Sequence, residues 1–335
     1  MKDFYTIAEV AQAHDGSLGI LHSFIDAVSK TGTKAIKFQT HIAEAESSSF
    51  EPFRVNFSFE DKTRYDYWNR MEFTKEQWIQ IGSHCKEVGL DFISSPFSLL
   101  AVDMLEVANV KIYKIGSGEV SNLPLIEKVC KTGKPIIISS GLSDLNELKT
   151  TIDLINSHGN KVSVLQCTTA YPTSPEQWCL NQIKELKKTF NIPVGFSDHS
   201  GDIFACLSAA NWGATIFEYH VTFDKNMFGP DRLASLNMKQ VLELNKGLDQ
   251  IELALNTPLN ERITEDVKKL KNIFGKSLAI NKDLKKDTLI TFEDLETKKP
   301  AEMGIPAHEY KKVVGKHLIN NLRRWDFIQW NDLKD

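Results

Sequence analysis

The sequence predicts an α/β protein, a (β/α)8 TIM barrel followed by a small, mostly-β domain. Three observations carry this. Between residues 4 and 255, eight short runs rich in Val, Ile and Phe each lead into a helix-periodic stretch, and such alternation implies a parallel sheet. Eight repeats suggest a closed barrel, with an open doubly wound sheet as the alternative; the first strand is not followed by the GxGxxG of a dinucleotide-binding unit. Finally, the tail repeats itself. DLKKDTLITFEDL at 283–295 matches NLRRWDFIQWNDL at 321–333 register for register, an offset of 38 residues. Two related halves of a small mixed β domain are the natural reading, with the basic pairs as solvated turns.

Taken in order, residues 4–12 (FYTIAEVAQ) read as the first strand and 18–30 as an amphipathic helix. AIKFQT at 35–40 is the second strand. The polar and aromatic segment 41–73 is long enough to be functional or to carry small elements of its own. A helix over 74–88 leads to the strand at 91–97, then a helix over 99–108, the strand IYKIGSGE at 112–119 and a helix over 123–131. The strand PIIISSG at 135–141, a helix over 144–157 and the strand KVSVLQC at 161–167 follow. A helix over 175–189 leads into VGFSDHS (194–200), the helix-like GDIFACLSAANWG (201–213), ATIFEYHVT (214–222) and a last helix over about 238–255. This divides the chain into a barrel over 1–257, a polar and partly helical linker over 258–275, and the small domain over 276–335.

At 335 residues the chain exceeds a typical single domain. It is 41% hydrophobic and 25% charged, ordinary for a globular enzyme, and its formal net charge of −4 argues against a nucleic-acid partner. The five cysteines are odd in number and form no CxxC, which suggests reduced thiols in a cytoplasmic protein. MKDFYTIAEV has no basic segment followed by an apolar one, so no secretory signal is read, and no apolar run is long enough for a membrane span.

Chemistry in parallel α/β folds collects at the carboxyl ends of strands. The polar residues there are Glu9, Lys37, Gln39, Ser95, Lys114, Ser117, Glu119, Ser139, Tyr171, Ser197, His199 and His220. His199 and His220 end adjacent predicted strands, close enough to share one cation; the alternative is a pair of satisfied loop histidines. Lys37 and Lys114 lie inside apolar strands, where an unpaired ammonium is costly. Lysines and serines at one mouth suit a phosphate or carboxylate.

The order and spacing of IAEVAQAHDG, AIKFQT, SSPF, YKIGSGE, TGKPIIISSG, LQCTTAYP, VGFSDHS and EYHVTFDKNMFGPD give the chain a resemblance to the sialic acid synthase (N-acetylneuraminate synthase) family over nearly its whole length. The tail resembles that family's antifreeze-protein-like (SAF) domain. The resemblance implies condensation of phosphoenolpyruvate with an N-acylated hexosamine aldehyde to a nine-carbon 2-keto-3-deoxy acid and phosphate, with C–O cleavage. It implies a divalent cation, Mn²⁺ or Mg²⁺, on His199 and His220. Lys37, Ser95, Lys114, Ser117, Ser139 and Ser197 would hold phosphoenolpyruvate. Glu9, Gln39, Glu119, Tyr171 and Asp231 would face the metal-bound water or the sugar. It further implies a homodimer in which one chain's small domain covers the other's barrel. The chain departs from the family pattern at Ala13 and Thr169, where Asn is usual, and at Lys299-Pro300-Ala301, where Arg-Pro-Gly is common. Another phosphoenolpyruvate-dependent 2-keto-3-deoxy sugar acid synthase, a barrel metallohydrolase and a non-catalytic carbohydrate-binding relic are the competing readings.

Overall fold

Strand order in the barrel follows chain order. The computed structural model describes residues 4–55, 57–258 and 264–335, in two compact units divided after Asn256. In the first unit β1 (Tyr5–Glu9), β2 (Ala35–Thr40), β3 (Asp91–Pro96), β4 (Ile112–Ile115), β5 (Ile136–Ser139), β6 (Val162–Cys167), β7 (Val194–Asp198) and β8 (Ile216–His220) are all parallel. β1 pairs with both β2 and β8, which closes the barrel and excludes the open sheet.

Most of the helices begin where a short polar side chain can take a free N–H of the first turn. Ser17 caps α1 (Leu18–Ser29). The segment after β2 carries α2 (Ala43–Glu46) and α3 (Arg64–Met71), the latter with a capping box from Thr63 and Asp66. Thr74 caps α4 (Lys75–Glu87), Ser98 caps α5 (Leu99–Val107), Asn122 caps α6 (Leu123–Cys130) and Asp144 caps α7 (Leu145–Ser157). α8 (Asn181–Phe190), α9 (Phe204–Trp212) and α10 (Met238–Asn256) complete the unit; α2, α8 and α9 start without such a cap.

Most predicted strands are shorter than the sequence suggests, and one strand and one helix show why. The strand at 112–119 stops at Ile115, and Ser117–Glu119 is a 3₁₀ turn where the chain leaves the rim. The helix at 175–189 begins only at Asn181, because Pro175–Gln177 is a separate 3₁₀ turn and Cys179 takes a left-handed φ of 48°.

Side chains alternate across a strand, and in this barrel the inward set is sharply layered. Its lower layer is apolar: Ile7, Ala35, Ile93, Ile137 and Leu165, with Tyr5, Ile112 and Ile216 packed against them. Two residues further along each strand the inward positions become polar: Glu9, Lys37, Ser95, Lys114, Ser139, Cys167 and Glu218. Gly195 occupies the lower layer of β7. A Cβ there would lie 2.4 Å from the Ile216 carbonyl oxygen and 2.5 Å from Leu165 Cδ2, so the layer closes only around a residue without a side chain. The outward residues, such as Phe38, Phe92, Tyr113, Phe196 and Phe217, pack under the helices in one continuous core.

In the second unit α11 (Glu265–Phe274) precedes the small domain. The predicted linker is helical there, and its residues 259–263 lie outside the described residues. β9 (Ser277–Ile280) pairs antiparallel with β10 (Leu295–Lys298). After the short α12 (Tyr310–Val313), β11 (His317–Leu318) pairs with β12 (Leu333–Lys334). The sequence repeat appears as reciprocal bonding. Leu284 and Leu322 exchange both backbone hydrogen bonds, at 2.8 and 2.9 Å. Asn321 Oδ1 accepts from the Lys286 N–H at 2.7 Å, and Asp283 Oδ1 accepts from the Arg324 N–H at 2.8 Å. The basic pairs Lys285-Lys286 and Arg323-Arg324 are exposed.

Candidate active site

The polar upper layer of the barrel is a buried charge cluster. Lys37 Nζ lies 2.7 Å from Glu9 Oε2 and 3.8 Å from Glu218 Oε1, and Lys114 Nζ lies 3.5 Å from Glu218 Oε1. Lys114 also donates to Ser139 Oγ at 2.6 Å, and Ser197 donates to Glu218 at 3.1 Å. All four charged side chains are at most 4% exposed. Burial opposes charge on each, and their mutual attraction answers it. Burial drives Lys114 below the ordinary lysine value, with Glu218 resisting. For Lys37 the same burial is outweighed by Glu218 and Glu9, so it stays a cation. Burial would raise Glu218, but Lys114 and Lys37 together bring it down to about 2.

Above this cluster sit the two histidines, with ring centroids 5.2 Å apart. The Nδ1 of His199 donates to the Thr168 carbonyl oxygen at 2.8 Å, so that in a neutral ring the lone pair is on Nε2; burial opposes its charge, but Cys167 and that carbonyl raise it above the ordinary histidine value. Burial pushes His220 down to about 3, so its imidazole is neutral. The Tyr171 ring covers both, 4.1 Å from His199 and 5.7 Å from His220. Arg54, from the segment after β2, lies 4.2 Å over Tyr171 and donates to Asp231 Oδ1 at 2.6 Å. The other oxygen of Asp231 is 4.0 Å from His220 Nδ1.

This donor set fits a divalent cation. One imidazole is oriented through its second nitrogen by a carbonyl, as metal-ligating histidines usually are. Its neighbour is neutral, and the buried Glu218 Oε2 beside it has no hydrogen-bond partner. Among the described residues no group of three or more His, Cys, Asp or Glu is arranged as a metal cage. A cation here would rest on His199 and His220 and leave its other positions to water or substrate.

A cavity of about 170 Å³ opens at this mouth. Glu9, Lys37, Gln39, Ser95, Lys114 and Ser117 line one side of the set, and Ser139, Tyr171, Ser197, His199 and His220 complete it. Three of the expected residues stand elsewhere. Glu119 is half-buried on the 3₁₀ turn and accepts from Asn122 at 2.7 Å; it does not line the cavity. Asp231 stands at the rim with Arg54. Lys299 belongs to the second unit, exposed, with its ammonium 5.0 Å from the Phe274 ring.

Sequence reasoning missed three residues. Glu218 and Cys167 are inward by the same two-residue step that makes His220 and Leu165 inward, so the strand period was the available signal. Cys167 lines the cavity and its sulfur accepts from Ser117 Oγ at 3.7 Å; burial would raise its thiol, but His199 and Lys114 bring it down. Arg54 lies in an aperiodic stretch that gives no such signal.

Fold and site define a (β/α)8-barrel enzyme with a buried, lysine-rich mouth, joined to a small β domain. The chain belongs to the NeuB family, whose model matches residues 24–259, and a SAF domain model matches residues 275–334. It is 32% identical to an N,N'-diacetyllegionaminic acid synthase of Campylobacter jejuni, over 98% of this chain and 100% of the relative. It is 30% identical to the N-acetylneuraminate-9-phosphate synthase of Homo sapiens, over 97% of this chain and 91% of that one. Among solved structures it is similar to an N-acetylneuraminic acid synthetase from Leptospira borgpetersenii, with a TM-score of 0.70 and 26% identity over 80% of this chain and 90% of the other. The chain is thus an enzyme of the acid-synthase class. Among the described residues no helix is long and apolar enough to cross a membrane.

Proposed function

We propose that this enzyme condenses phosphoenolpyruvate with the open-chain aldehyde of an N-acylated hexosamine, giving a nine-carbon 2-keto-3-deoxy acid and phosphate. The observation that carries this is one cavity lined by two buried lysines, four serines and two imidazoles. A small multiply charged anion fits the lower part of the cavity. Lys37 and Lys114 would meet its phosphate and carboxylate as charges, and Ser95, Ser117, Ser139 and Ser197 as neutral donors. Such preorganised donors stabilise charge through the reaction and cost no reorganisation when it occurs.

The aldehyde would enter above, against Tyr171, Gln39 and Asp231. A Mn²⁺ or Mg²⁺ ion held by His199 and His220 would supply Lewis acidity to the aldehyde oxygen. Attack by C3 of phosphoenolpyruvate leaves positive character at C2. Water adds there, and Glu9, which lines the cavity, is better placed than Glu119 to take its proton. Collapse of the resulting centre expels phosphate with its bridging oxygen. The reading includes a homodimer, with Lys299 of the small domain serving the sugar, as the family resemblance implies.

The test is phosphate release from phosphoenolpyruvate across a panel of N-acetylmannosamine, diacetamido-trideoxyhexoses, free hexoses and sugar phosphates. Release that depends on an N-acylated sugar and on added divalent cation is expected. Release with sugar phosphates alone would favour the sugar-phosphate synthase alternative. Phosphoenolpyruvate labelled with ¹⁸O in the bridging position should give labelled phosphate; unlabelled phosphate would overturn C–O cleavage.

A further inference from the structure

His41 follows β2 and is 3% exposed. Its ring is held between Trp68, at 3.8 Å and 17°, and Phe97, at 4.6 Å and 10°. Its Nδ1 lies 2.6 Å from Glu46 Oε1, while Glu46 Oε2 accepts the Ile42 N–H at 3.2 Å. Both oxygens of Glu46 are acceptors, so Nδ1 carries the proton. The other ring nitrogen, a lone pair in that tautomer, accepts from Gln12 Nε2 at 3.2 Å and lies 3.1 Å from Gln39 Oε1, itself an acceptor. Gln12 also donates to Gln39 Oε1. Gln39 in turn donates its NH₂ to Glu9 Oε1 at 2.8 Å, and the second oxygen of Glu9 is on Lys37.

These contacts form an unbroken line from Glu46 to the charged cluster. They also fix the Gln39 amide. Flipped, it would set its oxygen against the Glu9 carboxylate and its NH₂ against the NH₂ of Gln12. A purely structural histidine between two aromatic rings has no need of this line, since an apolar ring packs there without the cost of burying polar atoms. We propose that His41, oriented by Glu46, is a positioning residue that holds the Gln12 amide, and through it Gln39 and the Glu9 carboxylate, in the orientation the condensation uses. This rests on the reading of the cavity as the catalytic site.

His41→Phe keeps the aromatic sandwich and removes the hydrogen bonds; Glu46→Gln keeps shape and removes the charge. With the melting temperature checked for each, His41→Phe should lower kcat by about tenfold to a hundredfold, the scale of lost outer-layer support, with the KM for phosphoenolpyruvate close to native. His41→Gln, which still offers an amide, should recover part of the loss. In a Gln39→Ala background the His41→Phe change should add nothing. An independent measurement needs no turnover. In protein labelled with ¹⁵N-glutamine, the Gln39 side-chain amide, assigned by its absence from Gln39→Ala, should exchange slowly with water and lose that protection in His41→Phe and, in part, in Glu46→Gln. Equal losses of kcat in both backgrounds, or a Gln39 amide indifferent to His41, would overturn the proposal. Should the native protein release no phosphate with any sugar, the catalytic reading fails, and the amide exchange still decides whether His41 holds Gln39.

Discussion

Glu218 shows what the residues themselves decide. Two ammoniums face two carboxylates in the barrel mouth, and Glu218 is the carboxylate shared by both lysines. Glu218→Gln keeps the shape and leaves Lys37 and Lys114 short of one negative charge. Breaking a buried pair in this way costs about 3–5 kcal/mol, which should appear as a lower urea midpoint. Phosphoenolpyruvate brings negative charge to the same lysines, so it should raise the melting temperature of Glu218→Gln more than that of the native enzyme. An equal shift in both would show that the anion does not bind at these lysines. The histidines are tested separately. His199→Ala and His220→Ala should each abolish phosphate release and weaken Mn²⁺ binding measured by titration, with circular dichroism unchanged; full activity and native Mn²⁺ affinity in either would remove that residue from the cation site. The lysines, serines and histidines were legible because each stands out by type against an apolar strand. Glu218 was not, because it lies two residues before the strand end, where only strict counting of the inward period finds it. Arg54 was illegible for a different reason: its position comes from tertiary packing on Tyr171 and Asp231.

Whole elements were legible wherever the apolar period was long, and least legible at their ends. The barrel strands and the helices with Ser, Thr, Asn or Asp caps follow directly from local sequence. The end of the strand read at 112–119 did not: only IYKI is strand, and the Gly-Ser-Gly after it, a turn signal, carries the chain into a 3₁₀ turn at the rim. Gly195 makes the packing of the lower layer testable. Its Cβ would strike both a backbone carbonyl and the Leu165 side chain, and backbone cannot step aside as a flexible side chain can. Overpacking of this kind typically costs about 1–3 kcal/mol. Gly195→Ala should therefore lower the urea midpoint while the KM for phosphoenolpyruvate stays native, because the site lies one layer above. A midpoint equal to native would mean that the layer expands freely. The repeat in the small domain was legible for a physical reason as well. Each half gives the other the same hydrogen bonds, so the left-handed Asp287 and Trp325, with φ of 64° and 79°, fall at equivalent places 38 residues apart.

At the scale of the whole chain the question is what the small domain contributes to catalysis. In the proposed dimer Lys299 takes the place of an arginine that would meet the sugar. An ammonium can donate to a hydroxyl or an acyl oxygen, but it lacks the planar fork that engages two acceptors at once. One charge-assisted hydrogen bond is worth about 1.5–3 kcal/mol, roughly a tenfold to hundredfold change in apparent affinity. Lys299→Ala should therefore raise the KM for the sugar by that factor and leave the KM for phosphoenolpyruvate near native. Lys299→Arg should lower the sugar KM or leave it unchanged. The trans arrangement has its own signature. A His199→Ala chain has no working barrel but keeps Lys299. Mixed in excess with Lys299→Ala chains and allowed to exchange subunits, it should return the sugar KM of the surviving barrels toward the native value. A KM that stays high in the mixture, with exchange verified by tagged subunits, would place the Lys299 effect within its own chain; a Lys299→Ala enzyme with native KM for both substrates would remove Lys299 from the site altogether.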